Sequence, residues 1–184
     1  MAIDQSALSG SRIRLRRWRP EDREALAALN ADARVMAFFP SRPTRPESDA
    51  MVERIERGFA ERGFGLWAIE VPGVASFIGF AGLAVPGFTA PFTPCVEIGW
   101  RLAFAHWGRG YATEAARLAL DFGYRNCGLT EIVSFTSATN LRSRAVMERL
   151  GMRRDPADDF DHPSIPEYHP LRPHVLYRHA AASV

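Results

Sequence analysis

The chain contains no lysine: all 23 of its basic residues are arginine. With 21 acidic residues against them the formal charge is only +2, and the arginines are scattered. A polybasic tail is therefore absent, and so is the clustered basic stripe that direct nucleic-acid binding needs. Cysteine is scarce as well. Cys95 and Cys127 stand far apart and form no C-x-x-C unit, which excludes a disulfide framework and points to free thiols in a reducing compartment. No stretch approaches 18 consecutive apolar residues, and "MAIDQSALSG" lacks the basic region and apolar run of a secretory signal. These absences predict no membrane association and a cytoplasmic protein. Internal repeats and low-complexity segments are also missing.

What is present is the make-up of an ordinary globular unit. At 184 residues, 47% apolar and 24% charged, the chain suits one domain with a real core, spanning about residues 12–180. After a polar leader, "RIRLRRW" alternates Ile13 and Leu15 with Arg12, Arg14 and Arg16, the period of a half-buried strand. "RPEDREALAALNAD" predicts a helix, with Pro20 and the acids Glu21 and Asp22 at its start. "PSRPTRPES" predicts a loop, and Met51, Ile55 and Phe59 predict a second helix that stops at Gly63. From Leu66 onward "LWAIEV", "SFIGFAGLAV" and "CVEIGWRL" predict three strands of an antiparallel meander. A helix follows from residue 110 to about 126, with Tyr111, Ala115, Leu118 and Phe122 on its apolar stripe and Glu114, Arg117, Asp121 and Arg125 opposite. "EIVSFTSA" is a strand, "NLRSRAVMERLG" a short helix capped by Asn140 and stopped by Gly151, and "HVLYRH" a final strand.

Two features carry chemistry. In "HWGRGYATEAARLAL" Gly108 and Gly110 precede the long helix at once. A helix N-terminus offers unpaired N–H groups and a partial positive charge, so the turn suits a phosphate. The same glycines also suit a plain strand-to-helix turn. The stretch is no Rossmann fingerprint, because Thr113 stands where a third glycine belongs, and no Walker A loop, because Gly-Lys-Ser/Thr is absent. On the preceding strand Cys95, Glu97, Gly99 and Arg101 share one face. Glu97 beside a cleft can serve as a general base, its pKa tuned by burial and by Arg101; a same-face ion pair is the plainer reading.

The run from residue 97 to 152, with "EIGW", "WGRGYATEA", a strand and "TNLRSRAVMERLGM" in order, resembles the coenzyme-binding half of the general N-acetyltransferase (GNAT) superfamily. Within it the chain is most similar to the RimJ/RimL-like branch, whose openings "RIRLRRW" echoes. The resemblance implies an α/β fold with a mixed, mostly antiparallel sheet of six to seven strands and helices on both faces. It implies transfer of an acetyl group from acetyl-CoA to a primary amine by direct transfer, without a metal. Backbone amides of Trp107, Gly108, Arg109, Gly110, Tyr111 and Ala112 would cradle the pyrophosphate, and the pantetheine arm would lie along the strand ending near Leu102. The strands of residues 95–102 and 131–138 would splay to admit it, with Asn140 and Ser143 reaching the pantetheine and the thioester end.

Glu97 is then the base, and a strand amide near Ile98 or Trp100 the donor to the developing oxyanion. Two positions depart from the family pattern. Met147 occupies the place where many relatives carry a tyrosine general acid, which leaves Ser143, one turn earlier, as the substitute; Ala105 replaces the usual Gln or Arg before the first glycine. The branch resemblance favours a protein N-terminus as acceptor. A small-molecule amine is the alternative, and a non-catalytic acyl-CoA sensor is the rival from another class. A homodimer is left open. His162, His169, His174 and His179 have no zinc-ligand spacing and are read as loop and surface residues.

Overall fold

Local chemistry places the helices. The computed structural model describes residues 7–181; the first six residues of the polar leader lie outside them. Helix α1 spans Asp22–Ala31 and α2 spans Arg45–Arg62. The second begins inside the stretch expected to be loop. Thr44 and Glu47 form a reciprocal capping box there, and Pro46 occupies the first turn, where its missing N–H costs nothing. Gly63 closes α2 in the left-handed region, as its sequence position predicts.

Strands β1 (Ala7–Ser9), β2 (Arg14–Arg16), β3 (Leu66–Val71), β4 (Ala75–Ala84) and β5 (Glu97–Leu102) pair antiparallel in sequence order. Helix α3 (Tyr111–Cys127) then crosses over, so β6 (Glu131–Ser137) runs parallel to β5. Helix α4 (Leu141–Arg149) leads to β7 (Arg153–Arg154), β8 (Phe160–Asp161) and β9 (Pro173–Ala180), and β9 pairs antiparallel with β6. The sheet has nine strands, not six to seven. The surplus is in two- and three-residue pieces, too short to show a period in sequence.

Alternation along β4 divides the core. Phe80 packs with Leu26 and Val52 of α1 and α2, while Ala81 and Leu83 belong to the cluster containing Ala115, Ala119 and Phe122 of α3. Helices therefore cover both faces. Trp67 is fully buried and packs edge-on against Phe59 at 5.0 Å and Phe122 at 5.1 Å. Arg117, Asp121 and Arg125 lie exposed on the outer face of α3, but Glu114 does not. Its carboxylate accepts from the Arg12 backbone N–H at 2.8 Å, from Arg12 Nε at 2.8 Å and from Ser11 Oγ at 3.1 Å, pinning the segment before β2 onto the first turn of α3.

Candidate active site

Residues 106–112 turn the chain from β5 into α3. Gly108 and Gly110 adopt φ of 73° and 80°, a region closed to most side chains. A Cβ at Gly108 would meet nothing within 4 Å, so the position needs its backbone angle and not extra space. Tyr111, Ala112 and Thr113, in the first turn of α3, have no intrahelical acceptor for their N–H groups. Nor do the amides of Gly108, Arg109 and Gly110 find a backbone acceptor among the described residues. Trp107 differs from expectation. Its N–H donates to Phe104 O at 3.1 Å, and its indole Nε1 donates to Leu102 O at 2.8 Å, tying the turn to the end of β5. The free amides thus run from Gly108, one residue later than expected. Arg12 Nη1 donates to Arg109 O at 2.8 Å, bracing the turn from outside.

Strands β5 and β6 share a single register pair, Glu97 with Val133. Beyond it the two part, as the resemblance implies. Ser134 Oγ donates to Ile98 O at 2.9 Å across the start of the gap. Val96 O accepts from Val133 N at 2.9 Å, so residues 96, 98 and 100 turn their backbone polar groups toward β6. The register pair occupies the Ile98 N–H, and Trp100 N–H is the next along the open edge.

One cavity of about 920 Å³ runs through this gap. Glu97, Leu102, Trp107, Gly108, Gly110, Tyr111, Ala112, Asn140 and Ser143 all line it; Arg109 does not. Asn140 Oδ1 caps α4 by accepting the Ser143 N–H at 3.3 Å, while its Nδ2 donates to Thr136 Oγ1 at 2.9 Å. Met147, one turn after Ser143 on α4, is 1% exposed in the main core, and Val146 and Arg149 continue the cavity wall from Ser143. The position where relatives carry a tyrosine thus fills the core and does not line the cavity.

Glu97 carries the most perturbed acid of the site. Burial raises its carboxyl from 4.5 to about 7, because a carboxylate out of water loses solvation. The ion pair with Arg101 does not form. Arg101 Nη1 donates instead to Asn30 Oδ1 at 2.6 Å, and burial lowers its guanidinium from 12.5 to about 10. Burial, with the charge of Glu97, likewise pushes the Cys95 thiol up to about 11, so Cys95 is no nucleophile. His106 also lines the cavity, its imidazole pKa lowered by burial and then by Arg109.

The sequence carried no signal for Val35 or Arg142 in the cavity wall, whereas Phe38 and Phe39, aromatic residues of the core or pocket-wall type, do line it. Val35, Phe38 and Phe39 come from the α1–α2 connection, and Arg142 lays its guanidinium 5.0 Å over the Trp107 ring. The histidines also depart from expectation. His174 is 8% exposed and sits 4.9 Å from His162, in a ring cluster with Phe88, Phe135 and Phe160.

Residues 12–153 match the acetyltransferase (GNAT) domain family. The chain is 32% identical over 149 residues to the uncharacterized protein YkkB of Bacillus subtilis, covering 80% of this chain and 86% of that one. It is also 32% identical over 155 residues to the FsC-acetyl coenzyme A-N(2)-transacetylase of Aspergillus fumigatus, covering 80% and 65%. The solved RimL ribosomal L7/L12 alpha-N-protein acetyltransferase superposes with a TM-score of 0.76 at 13% identity, covering 96% and 94%. That likeness concerns the fold alone.

Proposed function

The chain belongs to the acetyltransferase (GNAT) domain family, and from that membership we propose that it transfers an acetyl group from acetyl-CoA directly to a primary amine, with Glu97 as the general base. The observation that carries this reading is the position of Glu97. Its carboxyl, held near 7 by burial, opens onto the same cavity as a row of unpaired amides at a helix N-terminus.

The residues present fit the coenzyme. Amides from Gly108 to Ala112 offer donors to a pyrophosphate, and the positive end of α3 favours its charge. The Trp107 indole holds the turn against Leu102, and the gap beyond Glu97 and Val133 leaves a strand edge for an extended arm. When bound, acetyl-CoA supplies the acetyl thioester. Glu97 removes a proton from the incoming ammonium, directly or through a water, which frees the nitrogen lone pair. Trp100 N–H is the strand donor aimed at the developing oxyanion. Ser143, on the cavity wall, is assigned as the hydroxyl donor to the departing thiolate.

Two acceptor classes remain in view. The RimJ/RimL-like opening of the sequence favours a protein N-terminus; the 32% identical N(2)-transacetylase of Aspergillus favours a smaller amine. The deciding experiment is an acetyl-transfer screen, read by release of free thiol, across peptides with varied N-termini and a set of small amines. Glu97→Gln is expected to lower turnover on the best acceptor by roughly 10²-fold or more while coenzyme affinity stays unchanged by calorimetry. Undiminished turnover in that variant rejects Glu97 as base. No transfer to any amine by the unmodified protein, with coenzyme still bound, leaves the non-catalytic sensor.

A further inference from the structure

A buried cation without an anion is the most unusual feature of the cavity outside the coenzyme end. Arg101 has one side-chain hydrogen bond, from Nη1 to the neutral Asn30 amide. Its Nε is buried with no partner among the described residues. Nη2 has no protein partner there either but is not sealed from solvent, so the side edge of the guanidinium, where Nε and Nη2 present two parallel N–H donors, is unpaired by the protein. Its other neighbours are aromatic: the guanidinium carbon lies 4.1 Å from the centroid of the Phe39 ring and 5.3 Å from that of Phe80. Aromatic faces hold the plane but satisfy none of its in-plane donors. Leaving charged donors unpaired in a desolvated place is costly. The buried Arg16 does not accept that cost: it pairs with both Asp22 and Glu70.

Three facts give the vacancy a direction. Arg101 and Glu97 lie four residues apart on one strand and face the same way, which separates their Cα atoms by on the order of 13 Å. The wall around Arg101 comes from α1, β4 and the α1–α2 connection, through Asn30, Phe80 and Phe39, and includes no residue of the amide cradle. The coenzyme's phosphates have their own donors at Gly108 to Ala112, with Arg142 beside Trp107.

We propose that Arg101 anchors a carboxylate carried by the acceptor, so that the amine this protein acetylates belongs to an amino acid or to a peptide with an acidic residue near its N-terminus. The proposal rests on the transferase reading and names the acceptor's chemistry. A side-on pair of N–H donors in one plane matches the two oxygens of a carboxylate. With the carboxylate at Arg101, the amine is directed along β5 toward Glu97. Phe39, 41% exposed, covers the guanidinium from the solvent side.

The test uses the full chain and matched acceptors in two arms: peptides with Glu or Gln at the second and third positions, and ω-amino carboxylates against their amides. The expected result is a carboxylate preference of about tenfold or more in KM in at least one arm, the size of one charge-assisted pair. The arm that shows it names the source. In Arg101→Met that preference falls to near unity, with kcat changed much less than KM and coenzyme affinity unchanged; Arg101→Lys restores part of it. A measurement on the unmodified protein guards against misfolding of the variants. A simple carboxylate without an amine should compete with the acceptor and not with coenzyme. Calorimetry of the coenzyme-loaded protein with the same carboxylate and amide pairs reads the preference without transfer, so a failed transferase reading and a failed anchor are told apart. Equal binding of carboxylate and amide in both arms overturns the proposal, as does loss of coenzyme affinity in Arg101→Met.

Discussion

Glu97 and Arg101 illustrate how one strand face can hold opposite charges and still leave both unpaired. The sequence places them two pleats apart, too far for direct contact in an extended strand, and each is desolvated in its own surroundings. The consequence for Glu97 is a pH dependence of two kinds. The proposed general base works as the carboxylate, so kcat/KM is expected to fall about tenfold per pH unit below about pH 7, measured against buffers of constant ionic strength. Stability runs the other way. A carboxyl whose folded pKa lies above its ordinary 4.5 is easiest to bury protonated, so its contribution is complete below about pH 4.5 and is lost as pH rises through about 7. Glu97→Gln should therefore raise the unfolding free energy by about 1–3 kcal/mol at pH 8.5 and leave it nearly unchanged at pH 4, by denaturant titration. An equal gain at both pH values would contradict a raised Glu97 pKa.

At the scale of elements, the link from β5 to α3 is set by backbone angles. Gly108 stands in open space at a φ of 73°, so Gly108→Ala meets no clash but carries the strain of an L-residue in the left-handed region, about 1–2 kcal/mol. The turn positions the amides that follow it. Coenzyme affinity, read by calorimetry, is expected to drop about tenfold, whereas the same substitution at Gly151, also at positive φ but not part of the cavity wall, should lower stability only. Helix α4 carries the complementary lesson. Its apolar positions were legible, but Ser143 and Met147 stand one turn apart on the same side of the helix, and only packing shows that Ser143 lines the cavity while Met147 is covered by the core.

Across the whole molecule, the acceptor side is attached to the sheet by the Arg16 network. Arg16, on β2, is 4% exposed and Asp22, at the start of α1, is 1% exposed. They pair through two hydrogen bonds of 2.7 and 2.8 Å, while Arg16 also reaches Glu70 of β3 and the carbonyl of Ser76 on β4. One guanidinium thus ties α1 to three strands. Asp22→Ala removes the more deeply buried of its two acids and leaves Glu70 as the remaining partner, and an unfolding loss of about 2–4 kcal/mol is expected by denaturant titration. Much of this architecture could be read in advance. The alternation of β2, the short apolar runs of β3 and β4 between Gly and Pro, the stripe on α3, the Gly63 and Gly151 stops and the Asn140 cap are local signals, because the forces behind them act over one or two turns of chain. The start of α2 was equally local, but the proline-rich composition masked the Thr44 capping box. What sequence alone determined was the order of elements, the glycine turn and the identity of Glu97 as the acid beside it. Only tertiary structure decided that Glu97 is desolvated, that Met147 faces inward and that Arg101 lacks an acid, because burial and pairing depend on residues distant in sequence, such as Asn30, 71 positions from Arg101.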